Sequence, residues 1–392
     1  MSWPLVKLKD VAEINPRLPK NVDESQIVTF LPMAAVSEQG QILKQEKRIL
    51  NETRKGFTYF EKNDVVVAKI TPCFENGKAA YLGSLETQIG FGTTEFHVIR
   101  ADIEKLDAKY LFYLVWNKWF RHLGERNMSG SGGQKRVPAD FLKELEIPLP
   151  PLDEQKRIAA ILDKADAIRR KRQQAINLAD DFLRSVFLDM FGDPVTNPKG
   201  WEVKKIKDFT SVTTGNTPSR KIPEYYGSDL EWIKSDNINT PNHTLTQSTE
   251  YLSSEGEKVA RTVEKGSILI TCIAGSFDCI GNVAFADRKV AFNQQINALT
   301  PKYEYVTEWF LYSLILFGKK VIQNASTNSM KGMVSKGKLE NVEMILPPLE
   351  KQKEFEELFN KQVSIISKMN VSYSNSANNF NSLSQKAFAG EL

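Results

Sequence analysis

Two loops of the sequence combine hydrogen-bonding side chains with glycine and positive charge. They span residues 129–136 and 326–338, about half a chain length apart. Glycine lets backbone amides approach a phosphate, lysine neutralises phosphates, and serine, asparagine, glutamine and arginine can face base edges. We therefore predict a nucleic-acid contact at both loops, although ordinary solvated loops remain the alternative. The candidate residues are Ser131, Gln134, Lys135 and Arg136 in the first loop and Asn328, Lys331 and Lys336 in the second.

Further segments carry the same residue types in predicted loops or at strand ends. Threonine, asparagine and glutamine can specify bases, whereas lysine more often holds phosphates. One of the segments, residues 213–221, contains a Gly-Asn-Thr-Pro sequence, and residues 91–94 and 292–295 are counterparts of each other. The candidates in these segments are Lys69, Thr71, Asn76, Lys78, Thr93, Thr94, Thr214, Asn216, Thr217, Ser219, Arg220, Lys221, Asn293, Gln294 and Gln295.

The motifs that catalysis would need are missing from the sequence. Residues 332–339 spell most of a phosphate-binding loop, but Leu339 stands where a hydroxyl should bind Mg²⁺. Asn197-Pro198 begins like an amino-methyltransferase motif but lacks the second proline and the aromatic residue that would stack on a flipped base. We therefore predict a chain without catalytic residues, metal ligands or a bound cofactor.

The histidines and cysteines likewise show no pattern of a metal or catalytic site. His97, His122 and His243 show no metal-ligand or triad spacing. Three cysteines are too few and too scattered for a zinc site or a disulfide framework. We expect them to be buried free thiols: Cys73, Cys272 and Cys279.

Composition bounds the class of protein. The net charge is +4 over 392 residues, so local patches would have to carry any nucleic-acid binding. An apolar fraction of 41% supports a real core, and the length predicts two or three domains. The sequence shows neither a signal-peptide pattern nor an apolar run of membrane-spanning length, which favours a cytoplasmic protein.

Two long amphipathic helices are predicted, each entered through a Pro-Pro-Leu sequence that ends at Leu152 or at Leu349. No glycine or proline interrupts residues 152–191, which predicts one helix of roughly 38 residues, about 55 Å long. The predicted seam of this helix is Ile158, Ile161, Ala165, Ile168, Arg172, Ala175, Ala179, Phe182 and Val186, widened by Leu162, Ile176, Leu183 and Met190. That of the second helix is Phe355, Phe359, Gln362, Ile366, Met369, Tyr373, Ser376, Phe380, Leu383 and Ala387, with a stop at Gly390.

Each of these helices has one apolar face and therefore needs a partner. We expect the two helices to pack on each other as an antiparallel coiled coil. Two unrelated surface helices are the alternative, against which the matched Pro-Pro-Leu entries argue.

The chain contains an internal repeat. Residues 3–10 resemble residues 201–208, and residues 142–152 resemble 339–349 at nearly the same offset. The predicted buried strand at 64–70 and short helix at 111–116 also have counterparts. The predicted fold is α/β with mixed sheet, in the order globe 1–151, long helix 152–192, globe 193–347, long helix 348–392. Glycine and proline at 191–200 predict a linker.

Three stretches together resemble the specificity subunit of a Type I restriction–modification system. They are the Pro-Leu-Pro-Pro-Leu-Asp-Glu-Gln-Lys-Arg-Ile sequence at 148–158, Phe-Gly-Asp-Pro at 191–194, and the closing residues 385–392. The resemblance covers the whole chain. It implies that the globes are target recognition domains of a non-catalytic, sequence-specific DNA-binding subunit. It also implies a complex that acts as an adenine-specific methyltransferase and a site-specific deoxyribonuclease.

The resemblance further implies the partners: double-stranded DNA, two methyltransferase subunits and restriction/translocase subunits. S-adenosylmethionine, ATP and Mg²⁺ would be bound by those partner subunits. The polar helix faces are the candidate docking residues, with a solvated face as the alternative: Glu154, Lys156, Arg157, Lys353 and Glu357.

The predicted helix pair suggests a ruler. At about 40–55 Å of helix, two half-sites would lie roughly 12–16 base pairs apart. Inserting one heptad after Ala175 is predicted to lengthen the preferred spacer. Two other functions stay open at this point, a single-chain DNA methyltransferase or nuclease, and a coiled-coil scaffold protein.

Overall fold

A computed structural model describes residues 3–131, 133–239, 243–326 and 332–392. The chain divides into two compact units. Unit 1 is Met1–Gln173 with Val371–Leu392, and unit 2 is Gln174–Asn370. Each unit thus takes half of each long helix. The predicted boundaries at 151, 192 and 347 follow chain order and stay a prediction.

Unit 1 begins with strands and short helices that precede the first long helix. The strands are β1 (Leu5–Lys7), β2 (Ala12–Ile14), β3 (Ile27–Leu31), β4 (Glu46–Ile49), β5 (Thr58–Glu61), β6 (Val65–Ala68), β7 (Ala79–Tyr81), β8 (Ile89–Gly92), β9 (Phe96–Ala101) and β10 (Glu146–Pro148). The helices are α1 (Leu50–Thr53), α2 (Ala108–Trp116), α3 (Lys118–Arg126), α4 (Ala139–Glu144) and the start of α5 (Leu152–Phe191).

Unit 2 repeats this plan. Its strands are β11 (Val203–Lys205), β12 (Thr210–Thr214), β13 (Tyr226–Ile233), β14 (Tyr251–Leu252), β15 (Thr262–Val263), β16 (Ile268–Thr271), β17 (Val283–Phe285), β18 (Val290–Phe292), β19 (Ile296–Pro301) and β20 (Glu343–Ile345). Its helices are α6 (Ile206–Phe209), α7 (Ser254–Val259), α8 (Glu308–Phe317), α9 (Lys319–Asn324), α10 (Lys336–Glu340) and the start of α11 (Leu349–Ala389).

The sheets match strand for strand. Unit 1 has sheets ordered β2-β9-β6-β7, β4-β3-β8-β5 and β1-β10, and unit 2 has β12-β19-β16-β17, β14-β13-β18-β15 and β11-β20. In each unit one pair is parallel, β3 with β8 and β13 with β18, so the sheets are mixed. The predicted repeat and the predicted α/β class are confirmed.

The strands form where the sequence offers apolar runs. Val65-Val66-Val67-Ala68 of β6 are all buried, as a strand covered on both faces requires. Ile268, Leu269 and Ile270 fill the equivalent strand β16. These strands hold their sheets against helices α2 and α8, whose apolar side chains complete the cores.

A buried glutamine ties each long helix to its unit. The side-chain oxygen of Gln155 accepts a hydrogen bond from the backbone N–H of Asp107 at 2.8 Å, and its amide donates to the carbonyl oxygens of Lys105 and Pro150. Gln352 accepts from Thr307 N–H at 3.0 Å in the same way. Both glutamines are fully buried, so these bonds replace lost water contacts.

The two long helices pack on each other in both units, and the alternative of unrelated surface helices is wrong. In unit 2 the rings of Phe187 and Phe355 lie 5.5 Å apart at an angle of 82°. In unit 1 Arg172 of α5 donates to the carbonyl oxygen of Ser372 of α11 at 2.7 Å. Since α5 has 40 residues and α11 has 41, each spans about 60 Å at 1.5 Å per residue.

The predicted stripe of α5 is wrong at two positions, since Ile168 and Phe182 are 44% and 57% exposed. Other predicted members are buried: Ile158, Leu162, Ile176, Ala179 and Leu183. The buried row faces the globular part of each unit as well as the partner helix, since Tyr113 of α2 donates a hydrogen bond to Asp163. The position of the buried stripe on α5 therefore depends on its neighbours as well as on its own periodicity. On α11 the predicted row is buried at Phe355, Phe359, Ile366, Ser376, Phe380 and Ala387.

The predicted linker at 191–200 is a folded turn. Gly192, with φ +77°, ends α5, and its N–H donates to Leu188 O at 2.8 Å. The Trp201 indole donates to Phe191 O at 2.8 Å, and the Asn197 side chain bonds both backbone groups of Trp201. These contacts pack the stretch against unit 2.

The cysteines are free, but the expectation of full burial holds for one of them. Cys272 is buried, and that burial raises the pKa of its thiol to about 11. Cys73 and Cys279 are half-buried, and both lie outside the strands.

Candidate nucleic-acid interface

Three candidate segments of unit 1 meet at one place. Backbone Lys69 N–H donates to Glu95 O at 2.9 Å, and Thr71 N–H donates to Lys135 O at 3.0 Å. Val137 N–H donates to Lys69 O at 2.9 Å. Residues 69–78, 93–95, 129–131 and 133–137 thus form one platform of loops, called platform 1 here.

An ion pair holds platform 1. Arg136 Nη2 lies 2.8 Å from Glu95 Oε1, and Arg136 Nε lies 3.0 Å from Glu95 Oε2. This hydrogen bonding lowers the pKa of Glu95 below its usual value and raises that of Arg136. Glu95 was not among the predicted residues, because nothing in its local sequence marks an acid 41 residues from its partner.

Several predicted residues of unit 1 have partners inside the unit. Thr71 donates its hydroxyl hydrogen to Glu75 at 2.7 Å, Asn76 donates to Glu38 at 2.9 Å, and Lys78 donates to Met33 O at 3.3 Å. The Thr93 hydroxyl accepts from Glu95 N–H at 3.2 Å. The structure therefore ties these groups into the loops.

Other predicted residues point outward. Ser131, Gln134, Lys135 and Thr94 are exposed, and Lys69 is half-buried. Reciprocal backbone bonds between Ser129 and Arg136 close the loop. Gly130, at φ +128°, lies so close that a side chain there would meet Gln134 O at 2.8 Å. The Ser129–Arg136 hydrogen bonds thus hold the two ends of the loop, while Gln134 and Lys135 are exposed to solvent.

In unit 2, equivalent backbone hydrogen bonds connect three loops with different residues. These loops are called platform 2 here. Cys272 N–H donates to Gln295 O at 2.8 Å, and Val334 N–H donates to Cys272 O at 2.9 Å. These bonds make Cys272 the counterpart of Lys69 and Gln295 the counterpart of Glu95. The predicted Asn328 and Lys331 lie outside the described residues. Lys336 is exposed at the first turn of α10, with Nζ 3.6 Å from Glu340.

The Gly-Asn-Thr-Pro loop of unit 2 lies against platform 2. A side chain at Gly215 would come within 2.2 Å of Asn293 O, so the close approach requires glycine there. Thr217 donates its hydroxyl hydrogen to Gln294 Oε1, and Asn293 donates to Gln295 Oε1 at 3.2 Å. Asn293 is buried, whereas Thr217 and Gln294 are exposed.

Two more of its residues hold the loop in place. Thr214 donates to Asn297 Oδ1 at 2.5 Å. Asn216 donates to Val259 O at 2.9 Å and accepts from Arg261 N–H at 2.7 Å. These contacts fix the backbone that carries Thr217.

A second cluster of charge lies at the end of this loop. Arg220 pairs with Glu250 at 2.6 Å, and its guanidinium lies 4.5 Å from the Tyr226 ring and 5.1 Å from the Trp232 ring. Lys234 also bonds Glu250, and this bond, followed by that of Arg220, lowers the pKa of the carboxyl. Lys221 is exposed, and Ser219 Oγ accepts from its N–H at 3.4 Å.

The unit 1 counterpart of this loop escaped the sequence analysis. Strand β2 pairs antiparallel with β9 as β12 pairs with β19. The loop after β2 therefore corresponds to the one after β12, and it carries Arg17 and Lys20. Both are exposed, and among the described residues neither has an ion pair or side-chain hydrogen bond. Applying the repeat offset to Gly215 would have found them.

The predicted partner-binding residues lie on the outer faces of the long helices. Glu154 and Arg157 pair at 2.7 Å, which lowers the pKa of Glu154 and raises that of Arg157. Arg157 also donates to Leu392 O at 3.0 Å. Lys156, Lys353 and Glu357 are exposed.

The histidines and acidic residues of the described part of the chain are paired with other side chains or do not lie in groups that could bind a metal. No group of three or more His, Cys, Asp or Glu there could hold a metal. His97 is buried and bonds Val137 O and Asn15, and His243 bonds Tyr312 and Asp180. No described helix is long and apolar enough to cross a membrane.

Fold and site define a tandem protein in which one α/β module occurs twice, each copy with its own platform and half of each long helix. Residues 2–178 and 198–369 match the model of the Type I restriction modification DNA specificity domain. The chain belongs to this family.

Relatives and solved structures agree with this assignment. The chain is 43% identical over 157 residues to the Type I restriction enzyme EcoAI specificity subunit of Escherichia coli, which covers 40% of this chain and 26% of that protein. The match thus spans about a quarter of that relative's length.

Two solved structures share the fold. The Type-I restriction-modification system S subunit from M. genitalium is 14% identical with a TM-score of 0.57, covering 98% of this chain and 96% of its own. A chain from a structure on complex assembly and conformational transition of the type I R-M system is 19% identical with a TM-score of 0.54, covering 100% and 98%. At these identities the likeness concerns fold alone.

Proposed function

We propose that this chain is the sequence-specific DNA-recognition subunit of a Type I restriction–modification complex and supplies no catalytic group. The observation that carries the proposal is the doubled platform. The same backbone hydrogen bond connects the loops in both units, from Lys69 to Glu95 in unit 1 and from Cys272 to Gln295 in unit 2. One scaffold that occurs twice with two different sets of side chains suits a bipartite DNA target with two different half-sites.

The residues divide by chemistry. Exposed cations are proposed to hold phosphates, namely Lys135 and Arg17 in unit 1 and Lys221 in unit 2. Exposed amides and hydroxyls are proposed to face base edges, with Gln134 in unit 1 and Gln294 in unit 2. Thr217 orients Gln294 through its hydrogen bond.

The partners proposed are two methyltransferase subunits and restriction/translocase subunits in the cytoplasm. S-adenosylmethionine, ATP and Mg²⁺ would be bound by those subunits. The exposed Lys156, Lys353 and Glu357 are proposed to take part in docking.

Spacer length is proposed to depend on the helices, because α5 and α11 run unbroken through 40 and 41 residues. A heptad inserted after Ala175, with a matching heptad in α11 after Met369, should lengthen the preferred spacer. An unchanged spacer would contradict the ruler.

Mapping methylated adenines across a genome with and without the chain tests the function. The expected result is a bipartite motif that disappears when the chain is removed. Methylation or cleavage by the purified chain alone, or a motif that persists without it, would overturn the proposal.

A further inference from the structure

Unit 1 contains an open apolar groove beside the strand pair β1–β10. Its volume is about 1290 Å³, and Glu144 and Glu146 lie at its edge. The indole of Trp119 and the side chain of Leu5 are 46% and 62% exposed. The apolar lining includes Trp3, Leu5, Trp119, Leu123, Phe141 and Phe388.

The repeat identifies the equivalent place in unit 2. Trp3 and Trp201 each stand two residues before the equivalent strands β1 and β11. Phe388 contacts the Tyr110 ring at 5.3 Å as Phe191 contacts the Phe310 ring at 4.9 Å. Both phenylalanines lie at or next to the end of a long helix, so they occupy equivalent positions.

In unit 2 a segment of the chain itself covers the surface that is equivalent to the groove of unit 1. After Phe191 the backbone turns at Gly192, and the buried Pro194 reaches Gly318, where an added Cβ would lie 3.3 Å from the Pro194 ring. Pro198 folds back on Gly192. Residues 192–200 therefore form a proline-containing segment of successive turns that continues directly into Trp201.

The tryptophan ring nitrogens show the difference between the units. Trp201 Nε1 donates to Phe191 O at 2.8 Å. Trp3 Nε1 is buried and has no hydrogen-bond partner in the described part of the chain. A buried donor without an acceptor is unfavourable, and a carbonyl oxygen brought into the groove would relieve it.

We propose that the groove of unit 1 binds a turn-forming, proline-containing peptide segment of a partner protein. The segment has the chemistry of Gly-Asp-Pro-Val-Thr-Asn-Pro-Lys, which fills the equivalent place in unit 2. Exposed Glu146 at the groove edge favours a basic residue in that segment, in the way the lysine at 199 follows the second proline. This inference does not depend on DNA binding.

A labelled peptide tests the inference on the full chain. The probe is the fluorescein-labelled nonapeptide of residues 192–200, titrated by fluorescence anisotropy without DNA beside a scrambled peptide of the same composition. The expected result is saturable binding with a Kd below about 1 mM and about fivefold or more tighter than the scrambled peptide. Equal binding of the two peptides, or no saturation at about 2 mM, would overturn it.

Variants locate the bound peptide. Trp119→Glu should weaken binding about tenfold, and Trp3→Phe, which removes the ring N–H, should weaken it about threefold. Leu178→Glu, at an exposed position of unit 2, is the matched control and should leave the Kd unchanged. Circular dichroism and thermal unfolding identify variants that fail to fold, and an unchanged Kd in folded Trp119→Glu contradicts the site.

Sedimentation velocity separates a partner peptide from a second copy of this chain. A monomer over the working range is expected. A dimer that Trp119→Glu abolishes would assign the groove to self-association and overturn the partner assignment.

Discussion

Unit 1 and unit 2 have the same strand order but stabilise their platforms by different chemistry. Unit 1 uses the Glu95–Arg136 ion pair, whereas unit 2 has Gln295 at the equivalent position and has ion pairs on Glu250 at the end of the neighbouring Gly-Asn-Thr-Pro loop. The backbone hydrogen bonds that connect the loops of each platform are the same in both units. The comparison teaches that the scaffold tolerates exchange of the side chains it presents, which the proposed recognition of two different half-sites would require.

The shared part of the scaffold should show equal energetics in the two units. Replacing either buried glutamine at the start of a long helix, Gln155→Met or Gln352→Met, leaves backbone groups without partners. Each change should lower the free energy of unfolding by about 2–4 kcal/mol. Denaturant unfolding measures it.

The neighbouring exposed lysines provide matched controls. Lys156→Met and Lys353→Met should change the free energy of unfolding by about 0.5 kcal/mol or less. A large loss from one glutamine variant and none from the other would break the comparison of the two units.

The unlike part of the scaffold should respond in one unit alone. Glu95→Gln installs the residue of unit 2, removes a negative charge from platform 1 and releases Arg136 toward phosphate. Affinity for a random duplex at low salt should rise by about three- to tenfold. Glu104→Gln removes the same charge from an exposed turn as a control, and weaker binding by Glu95→Gln would contradict the expectation.

A smaller effect concerns pH. Burial lowers the pKa of His97 on β9, whose counterpart on β19 is Asn297. Because the unfolded state takes up a proton near the ordinary histidine pKa and the folded state takes it up at a lower pH, stability should fall as pH drops below about 6.5.

Replacing the histidine with the residue of unit 2 tests this assignment. The variant His97→Asn should lose that part of the pH dependence, measured as the thermal midpoint between about pH 7 and pH 5. An unchanged pH profile in the folded variant would show that other groups are responsible.

Helix-breaking residues and the internal repeat of the sequence predicted much of the fold. Proline before Leu152 and the absence of glycine or proline up to Phe191 defined α5 at both ends. The repeat of Trp3 at Trp201 predicted two copies of one module, which the sheet order confirms. These features follow from rules that act within one element or between two similar segments.

Contacts between unlike segments could not be predicted in the same way. Periodicity predicted an apolar stripe on α5 but not which of its residues the neighbouring elements cover, so Phe182 was wrongly assigned to the seam. Glu95 and Glu250 are ordinary acids in sequence, and only partners distant in the chain place Glu95 in platform 1 and Glu250 beside the Gly-Asn-Thr-Pro loop. The loop with Arg17 lacks the Gly-Asn-Thr-Pro sequence of its counterpart, so residue similarity did not reveal it.

The most direct test of two independent readers is the methylation motif of paired variants in the complete complex. Gln134→Ala in unit 1 should relax one half of the motif and Gln294→Ala in unit 2 the other, each by about 1–3 kcal/mol of discrimination. The spacer should stay unchanged in both. Relaxation of the same half by both variants, or of both halves by either one, would contradict the account.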